Sequence, residues 1–111
     1  MSSKRGVFAL LDSDELVEFF TFTTKAISVS VISFGASITN FLVLSKNLDV
    51  ALSYRSDALE GYIENPYKIG ASVGRVANRI RNGQFHIDGK TYDVDKNLGG
   101  KHSHHGGRKC F

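Results

Sequence analysis

An alternating pattern of side chains in the first third of the chain constrains its fold most strongly. From Leu16 to Thr24, most positions are aromatic or β-branched, and such residues favour extended strands. Within positions 26–33, Ile27, Val29 and Val31 then alternate with Ser28 and Ser30. A period of two is typical of a strand with one buried face and one solvated face. The pattern predicts two neighbouring strands of a mostly antiparallel β structure.

Strand and turn signals continue along the chain after this pair. Gly35 is expected to bend the chain, and Ile38–Leu44 and Leu48–Tyr54 are expected to form the third and fourth strands. Asn47 lies between them in a turn, because asparagine tolerates the left-handed backbone conformation. The first half of the chain is therefore predicted to contain four strands.

The connection after the fourth strand is polar and is expected to contain one helical turn. This turn is predicted at Asp57–Gly61, with Ser56 or Asp57 as its cap and the glycine as its end. Pro66 makes a long helix through the following segment unfavourable, because proline has no N–H to donate and clashes with the preceding helical turn.

A hairpin is the clearest local prediction in the second half of the chain. Asp88-Gly89 separates two short strand-like runs, Gln84–Ile87 and Lys90–Val94. Both residues of a type I′ turn need a positive φ, and Asp-Gly meets that requirement. The glycine- and histidine-rich stretch Asn97–Phe111 is expected to be a loop.

Composition excludes several classes of protein. At 111 residues the chain has room for one domain, and residues 1–15 are predicted to be a flexible N-terminus. The net charge of +3 comes from scattered basic residues, which argues against binding to nucleic acid. A lone cysteine, Cys110, cannot build a disulfide framework. No apolar run approaches the ~20 residues of a membrane span, and a soluble, cytoplasmic protein is expected.

The segment Asn65–Gly83 is the first candidate for a functional site. It combines glycines, arginines and asparagines with a few aliphatic residues, which suits neither a core strand nor a solvated loop. Asn78 and Arg79 are adjacent, and together they offer a fork of donors and an amide. They fit the hydroxyls of a small polar ligand such as a sugar. A structural pair, in which the arginine meets a carboxylate and the asparagine closes a turn, is the alternative.

A second candidate is the histidine-rich stretch near the end of the chain. Histidine works as an acid or base near neutral pH and is a common zinc ligand. A solvated tail is the alternative, because the spacing lacks the short pairs of known zinc sites. The residues concerned are His102, His104, His105 and Cys110. His105 differs from the others, because Gly106 and Gly107 follow it and allow a close backbone approach.

Asp93 and Asp95 are the remaining candidates for acid–base chemistry. They are two residues apart and are expected to lie on one face of the hairpin's exit strand. A general acid and base must converge on one site, and the sequence marks no partner opposite them. A solvated face is therefore the preferred interpretation.

Taken together, the two candidate stretches resemble the N-terminal part of the aldose 1-epimerase (galactose mutarotase) family. The family pattern is NPY-x-x-G-x-x-x-GR-x-ANRI, then G-x-F-x-x-DGK-x-Y, an asparagine, and HGG. The matching residues in this sequence are Asn65, Pro66, Tyr67, Gly70, Gly74, Arg75, Ala77, Asn78, Arg79, Ile80, Gly83, Phe85, Asp88, Gly89, Lys90, Tyr92, Asn97, His105, Gly106 and Gly107. The resemblance extends from about Leu16 to the last residue.

This resemblance implies an all-β fold, here part of an antiparallel β-supersandwich, with residues 16–111 as the N-terminal portion of the family's domain. It implies interconversion of the α and β anomers of hexoses such as galactose and glucose. No metal and no organic cofactor is implied. The residues that match the family's substrate-binding positions are Asn78, Arg79 and His105. The sequence gives no indication of the oligomeric state.

The resemblance also sets a limit on activity. The acid histidine and base glutamate of the family lie downstream of its HGG motif, and this chain ends at Phe111, four residues after that motif. His105 matches the substrate-binding histidine and not the acid. We therefore expect a truncated family domain that retains sugar-binding residues without the catalytic pair. The alternatives are a non-catalytic carbohydrate-binding chain, a truncated product without a function of its own, and, within the enzyme class, a hexose-6-phosphate epimerase.

Overall fold

Strands account for most of the regular structure in the computed structural model, which describes residues 1–51, 53–54 and 59–108. These residues form two compact units, one comprising Met1–Ser72 and the other beginning at Val73. The strands are β1 (Ser2–Leu10), β2 (Leu16–Thr23), β3 (Ile27–Ile32), β4 (Ser37–Val43), β5 (Leu48–Asp49), β6 (Arg79–Ile80), β7 (Gln84–Ile87), β8 (Lys90–Asp93) and β9 (Ser103–His104). The short helix α1 spans Glu60–Ile63.

The first unit is built on one antiparallel sheet of five strands in the order β1-β2-β3-β4-β5. Each strand pairs with the next one along the chain, so short turns suffice as connections. Gly35 has a φ of 64° in the bend before β4, and Asn47 has a φ of 47° in the turn before β5. The predictions of an all-β fold, of a bend at Gly35 and of a left-handed turn residue at Asn47 are confirmed.

A small apolar core stabilises this unit. The buried hydrophobic residues are Val17, Ile32, Leu59 and Tyr62. Tyr62 lies on α1 and meets the rings of Phe8 and Tyr54 edge-on, with centroid distances of 6.0 and 5.7 Å. Edge-to-face contacts of this kind add to the free energy gained from burying the rings. The core therefore joins α1 to the first three strands.

Strand β1 corrects the prediction that the N-terminus is flexible. Residues 2–10 pair with β2 along its whole length. The Arg5 guanidinium donates two hydrogen bonds to the Glu18 carboxylate, at 2.7 and 2.9 Å, and lies over the ring of Phe20. Long basic side chains can cover apolar surface while their charged ends stay in water. The polar composition of this segment is therefore compatible with an edge strand, which the sequence analysis did not recognise.

Strand β3 does not separate into a buried face and a solvated face as predicted. Its residues from Ile27 to Val31 are all half-buried, and only Ile32 is fully buried. The serines are covered because they bond to threonines across the strand pair: Thr21 with Ser30 at 2.8 Å, and Thr23 with Ser28 at 2.9 Å. Paired hydroxyls can leave water at little cost, which a count of apolar positions does not reveal.

Strand β5 is shorter than predicted, and the side chain of Asp49 engages two of the backbone N–H groups beside it. Its carboxylate accepts hydrogen bonds from the backbone N–H groups of Phe41 and Ala51, at 3.0 and 2.9 Å, and from the amide of Asn40 at 2.8 Å. Backbone donors that bond to a side chain are no longer available to a partner strand. One further backbone bond joins Val50 to Phe41 at 2.9 Å, and the paired strand itself ends at Asp49 and not at Tyr54.

Helix α1 begins and ends later than the predicted helical turn. Gly61 lies inside the helix and does not end it, and the proposed caps Ser56 and Asp57 lie outside the described residues. A Cβ at Gly61 would lie 3.1 Å from the side chain of Tyr54. The glycine is therefore explained by the close approach of this ring. Among the described residues, the helices lack the length and apolar character that crossing a membrane requires.

The second unit contains two short antiparallel pairs, β7 with β8 and β6 with β9. Asp88 and Gly89 have φ values of 49° and 74° in the turn between β7 and β8, which confirms the predicted hairpin. The stretch after Asn97, however, is not a simple loop. Ser103–His104 forms strand β9 and pairs with β6, and this pairing positions the candidate site.

Candidate functional site

The pairing of β6 with β9 brings the three predicted sugar-binding residues together. Arg79 lies opposite His104 in this pair. Asn78 directly precedes Arg79, and His105 directly follows His104, so these two residues also become neighbours. Asn78 and Arg79 are exposed, and His105 is half-buried. Residues that are 27 positions apart in the chain therefore lie at one end of a short β ladder.

Two hydrogen bonds join Asn78 to His105. The backbone N–H of His105 donates to the carbonyl oxygen of Asn78 at 2.9 Å. The backbone N–H of Asn78 donates to the imidazole Nδ1 of His105 at 3.1 Å. A ring nitrogen that accepts a hydrogen bond carries no proton, so the neutral ring holds its proton on Nε2. The local backbone therefore makes His105 a donor through Nε2.

The side chain of Asn78 is oriented by its neighbour. An Nη1–H of Arg79 donates to the amide oxygen of Asn78 at 2.7 Å. With its oxygen engaged in this way, the amide of Asn78 presents its NH₂ group as the remaining hydrogen-bonding function. Asn78, Arg79 and His105 then all offer N–H donors. An arrangement of this kind fits a ligand rich in oxygen acceptors.

The backbone at this end of the ladder is left-handed on both sides. Asn78 has a φ of 61° and His105 a φ of 51°. Asparagine and histidine are among the non-glycine residues that adopt this conformation most readily. Asn78 directly precedes β6 and His105 directly follows β9, and each of these strands has two residues. The chain therefore enters and leaves the ladder at the candidate site.

The glycines after His105 allow a close approach between two backbone segments. Gly106 has a φ of 86°, and a Cβ at this position would fall against the carbonyl oxygen of Gly74. Beyond Gly107, the backbone N–H of Arg108 donates to the Asp95 carboxylate at 2.7 Å. The glycines are therefore required by packing within the protein itself. The alternative explanation, a close approach to a ligand, is not needed at Gly106.

His104 has a perturbed environment. Partial burial lowers the pKa of His104 from its ordinary value, and the nearby charges of His105 and Arg79 lower it further. The rings of His104 and His105 lie 3.7 Å apart between centroids, tilted by 41°. Two imidazolium ions at this distance would repel each other. The surroundings therefore favour the neutral form of His104.

The other sequence candidates have different surroundings. The carboxylate of Asp93 accepts a hydrogen bond from Gln84 at 2.8 Å, and the carboxylate of Asp95 pairs with Nε of Arg108 at 3.6 Å. Asp95 also lies outside β8, so the two carboxylates are not on one strand as predicted. Within the described residues, no group of three histidine, cysteine, aspartate or glutamate side chains is placed to hold a metal ion. Cys110 lies outside those residues.

Two residues near the site have structural roles that the sequence analysis did not predict. The Asn97 amide bonds to both backbone groups of His104, and the imidazole Nδ1 of His102 accepts a hydrogen bond from the backbone N–H of Asn82 at 3.0 Å. Asn97 was noted only as one position of the family pattern. His102 was grouped with the possible metal ligands, and it instead repeats the interaction that His105 makes with Asn78.

Comparison with known proteins identifies the family to which the chain belongs. The aldose 1-epimerase family matches residues 18–109. Galactose mutarotase of Bos taurus is 43% identical over 98 residues, which are 86% of this chain and 28% of that protein. Galactose mutarotase of Homo sapiens is 39% identical over 114 residues, which are 99% of this chain and 32% of that protein.

Solved structures of aldose epimerases also match this chain. Galactose 1-epimerase from Lactobacillus acidophilus superimposes with a TM-score of 0.78 at 25% identity, over 96% of this chain and 30% of that one. An aldose epimerase homologue from C. elegans gives a TM-score of 0.68 at 33% identity, over 81% of this chain and 28% of that one. The chain belongs to the aldose 1-epimerase family and matches its N-terminal part. It spans about a third or less of the length of these relatives.

Proposed function

We propose that Asn78, Arg79 and His105 form one wall of a hexose-binding site of an aldose 1-epimerase. The observation that carries this proposal is the set of N–H donors at one end of the β6–β9 pair. Arg79 donates to the Asn78 amide oxygen, and His105 accepts at Nδ1, so the remaining functions of all three side chains are donors. Galactose and glucose present many hydroxyl and ring oxygens that can accept such bonds.

The same geometry supports a binding role for His105 and not an acid–base role. A general base needs a nitrogen with an available lone pair, and a general acid needs a proton that it can release near neutral pH. In the neutral His105 ring, Nδ1 already accepts the bond from Asn78, and Nε2–H is too weakly acidic to serve. The proton transfers of mutarotation, from the C1 hydroxyl and to the ring oxygen, would therefore require other groups.

Arg79 has a second role in this proposal. Ring opening shifts negative charge toward the oxygen that leaves C1, and a fixed donor or cation nearby stabilises that charge. The hydrogen bond of Arg79 to Asn78 fixes the direction of its guanidinium. The arginine would therefore contribute to both ground-state binding and charge stabilisation, whereas Asn78 and His105 would mainly orient the sugar.

Titration with galactose tests the binding proposal directly. We expect the amide NMR signals of residues near positions 78 and 105 to shift in a saturable way, at millimolar sugar because the wall is exposed. Arg79→Ala should abolish these shifts. Arg81→Ala, an exposed arginine of the same unit two residues away, is the matched control and should preserve them. No shift at high millimolar sugar, or equal losses in both variants, would contradict the proposal.

Polarimetry tests the proposed division between binding and chemistry. The 111-residue chain should not accelerate the mutarotation of α-D-glucose measurably above the buffer rate, because the residues of this wall do not supply an acid–base pair. Saturable acceleration that depends on protein concentration would refute this expectation. Glu60 and Glu64 would then be the first carboxylates to replace.

A non-catalytic carbohydrate-binding role is the second candidate. It is favoured by the same observation that His105 is held as a donor, because a wall of donors can bind a sugar without converting it. The two candidates differ in one result. Galactose binding without any activity, even in a protein that also contains the remaining part of the family's domain, would favour the non-catalytic role.

A further inference from the structure

We propose that Asn97 is a positioning residue for this site, holding strand β9 so that His105 keeps its contacts with Asn78. The inference rests on the proposed function for its meaning in sugar binding. Its structural part stands on hydrogen bonds alone. Asn97 would act through His104 and not by contact with the sugar.

The amide of Asn97 imitates a neighbouring strand. Its oxygen accepts the backbone N–H of His104 at 2.8 Å, and its NH₂ group donates to the carbonyl oxygen of His104 at 2.9 Å. A peptide group in an adjacent strand would make the same pair of bonds. A single side chain thus satisfies both backbone groups of one residue in β9.

The Asn97 contact lies on the edge of β9 that faces away from β6, so it can influence the position of the site. Successive residues of a strand direct their peptide groups toward opposite edges. His105 directs its N–H to Asn78, beside β6, whereas His104 directs its N–H and its carbonyl to Asn97. The two-residue strand β9 is therefore held at both edges. The exposed Asn97 side chain holds the second edge at His104, and backbone bonds between Leu98 and His102 hold the chain just before β9.

A continuous series of hydrogen bonds runs from Asn97 to the proposed sugar wall. Asn97 holds the backbone of His104, the next residue is His105, and His105 bonds to Asn78 through its N–H and its ring. Asn78 in turn accepts a bond from Arg79. The His104 carbonyl also accepts a bond from the backbone N–H of Gly107 at 3.2 Å. Loss of the Asn97 contacts therefore leaves the His104 N–H without its partner and weakens the restraint on the φ of 51° at His105. The ring of His105 should then lose its fixed orientation.

The test uses Asn97→Ala and Asn97→Asp. Alanine removes both bonds, whereas aspartate keeps the shape and the acceptor but replaces the donor with an oxygen that repels the His104 carbonyl. Gln84→Ala is the matched control, because Gln84 is an exposed amide of the same unit that bonds to Asp93 in the β7–β8 hairpin. The stacked rings of Phe85 and Tyr92 in that hairpin provide signals that report whether the unit is still folded.

The first measurement needs no sugar. Long-range ¹H–¹⁵N spectra of the imidazoles distinguish an Nε2-protonated ring with Nδ1 as acceptor from a mixture of tautomers. We expect His105 to show the single Nε2–H form in the unmodified protein and in Gln84→Ala. In both Asn97 variants, the ¹⁵N shifts of His105 should move toward those of a mixture while the hairpin signals stay in place.

The second measurement is the dissociation constant for galactose. Each Asn97 variant should weaken binding about three- to tenfold, the effect of losing the hydrogen bonding that holds a donor. Gln84→Ala should leave binding unchanged. The two measurements separate the positioning role from the proposed function, since the first remains valid if the unmodified protein binds no galactose.

Three results would overturn the positioning role. An unchanged His105 spectrum in Asn97→Ala would show that the ring does not depend on Asn97. Loss of galactose binding with an unchanged spectrum would indicate direct contact between Asn97 and the sugar. Movement of the hairpin signals together with those of His105, in Asn97→Asp as well as Asn97→Ala, would indicate general support of the unit.

Discussion

The two compact units are stabilised in different ways. The first unit has a continuous five-stranded sheet and a buried apolar cluster around Ile32 and Tyr62. In the described part of the second unit, all buried residues are polar or glycine, and its regular pairs are two to four residues long. Side-chain hydrogen bonds to the backbone, such as those of Asn97 and His105, take the place of a core.

This difference explains where the candidate site lies. Apolar burial has no preferred direction, whereas hydrogen bonds fix direction and distance together. A site that presents several N–H donors to one ligand needs directional control. The unit built on polar contacts provides that control, but each contact is exposed to competition from water and contributes little by itself.

Truncation of the first unit's core should have the largest effect. Ile32 is 1% exposed, and Ile32→Ala should lower the free energy of unfolding by about 2–5 kcal/mol, because it removes buried methyl groups and leaves a cavity. Ile63, 54% exposed in the same unit, is the matched control and should lose no more than ~0.5 kcal/mol as Ile63→Ala. Urea unfolding followed by circular dichroism measures both, and equal losses would contradict a core-based unit.

In the second unit, substitutions at glycines with a positive φ should cause the next largest loss of unfolding free energy. Gly99 and Gly106 both have positive φ values, but a Cβ would meet open space at Gly99 and the Gly74 carbonyl at Gly106. Gly99→Ala should cost roughly 1–2 kcal/mol from the left-handed conformation alone. Gly106→Ala should cost more and also shift the His105 imidazole signals, because the backbone must move. Equal unfolding energies for the two variants would remove the close approach as an explanation.

The smallest expected effect is a pH dependence from His104. Partial burial lowers the pKa of His104 in the folded protein below its ordinary value of about 6.5. The unfolded chain then binds more protons between these two pKa values, so stability falls as the pH drops through about 6.5 and the loss is complete below the folded-state pKa.

Thermal unfolding between pH 8 and pH 5 measures this dependence. His104→Gln should flatten the fall of the midpoint temperature over that window, whereas Gln84→Ala, in the same unit, should keep the slope of the unmodified protein. An equal or steeper fall in His104→Gln would show that the perturbation at His104 does not contribute.

The two units also differ in how much of them could be predicted from the sequence. Period-two alternation located β2 and β3, the apolar run after the Gly35 bend located β4, and the Asp88-Gly89 turn located β7 and β8. Strand β1 was missed, because its stabilising contacts come from Arg5 on Glu18 and Phe20. These contacts join distant residues and leave no periodic mark in a polar segment.

The sequence predicted which residues belong to the candidate site but not how they are arranged in space. Asn78, Arg79 and His105 were identified through a resemblance to a family pattern, and their role in binding stays a prediction. Their proximity depends on β6 and β9, two-residue strands that are too short to produce a pattern. The bonds of Asn97 and His102 to backbone groups were likewise invisible, since any asparagine or histidine can make such bonds and only the folded chain selects the partner.

The contact between Asn78 and His105 has a consequence for how such a site evolves. The bond to the His105 imidazole and the bond to the His105 backbone N–H both use the main chain of residue 78 and not its side chain. The position of His105 is therefore inherited from the path of the backbone, and mutations that keep this path can change the side chain at position 78 without displacing the ring. Under the proposed function, selectivity among sugars could then change at residue 78 while His105 keeps its place. The φ of 61° limits such changes to residues that tolerate a left-handed turn.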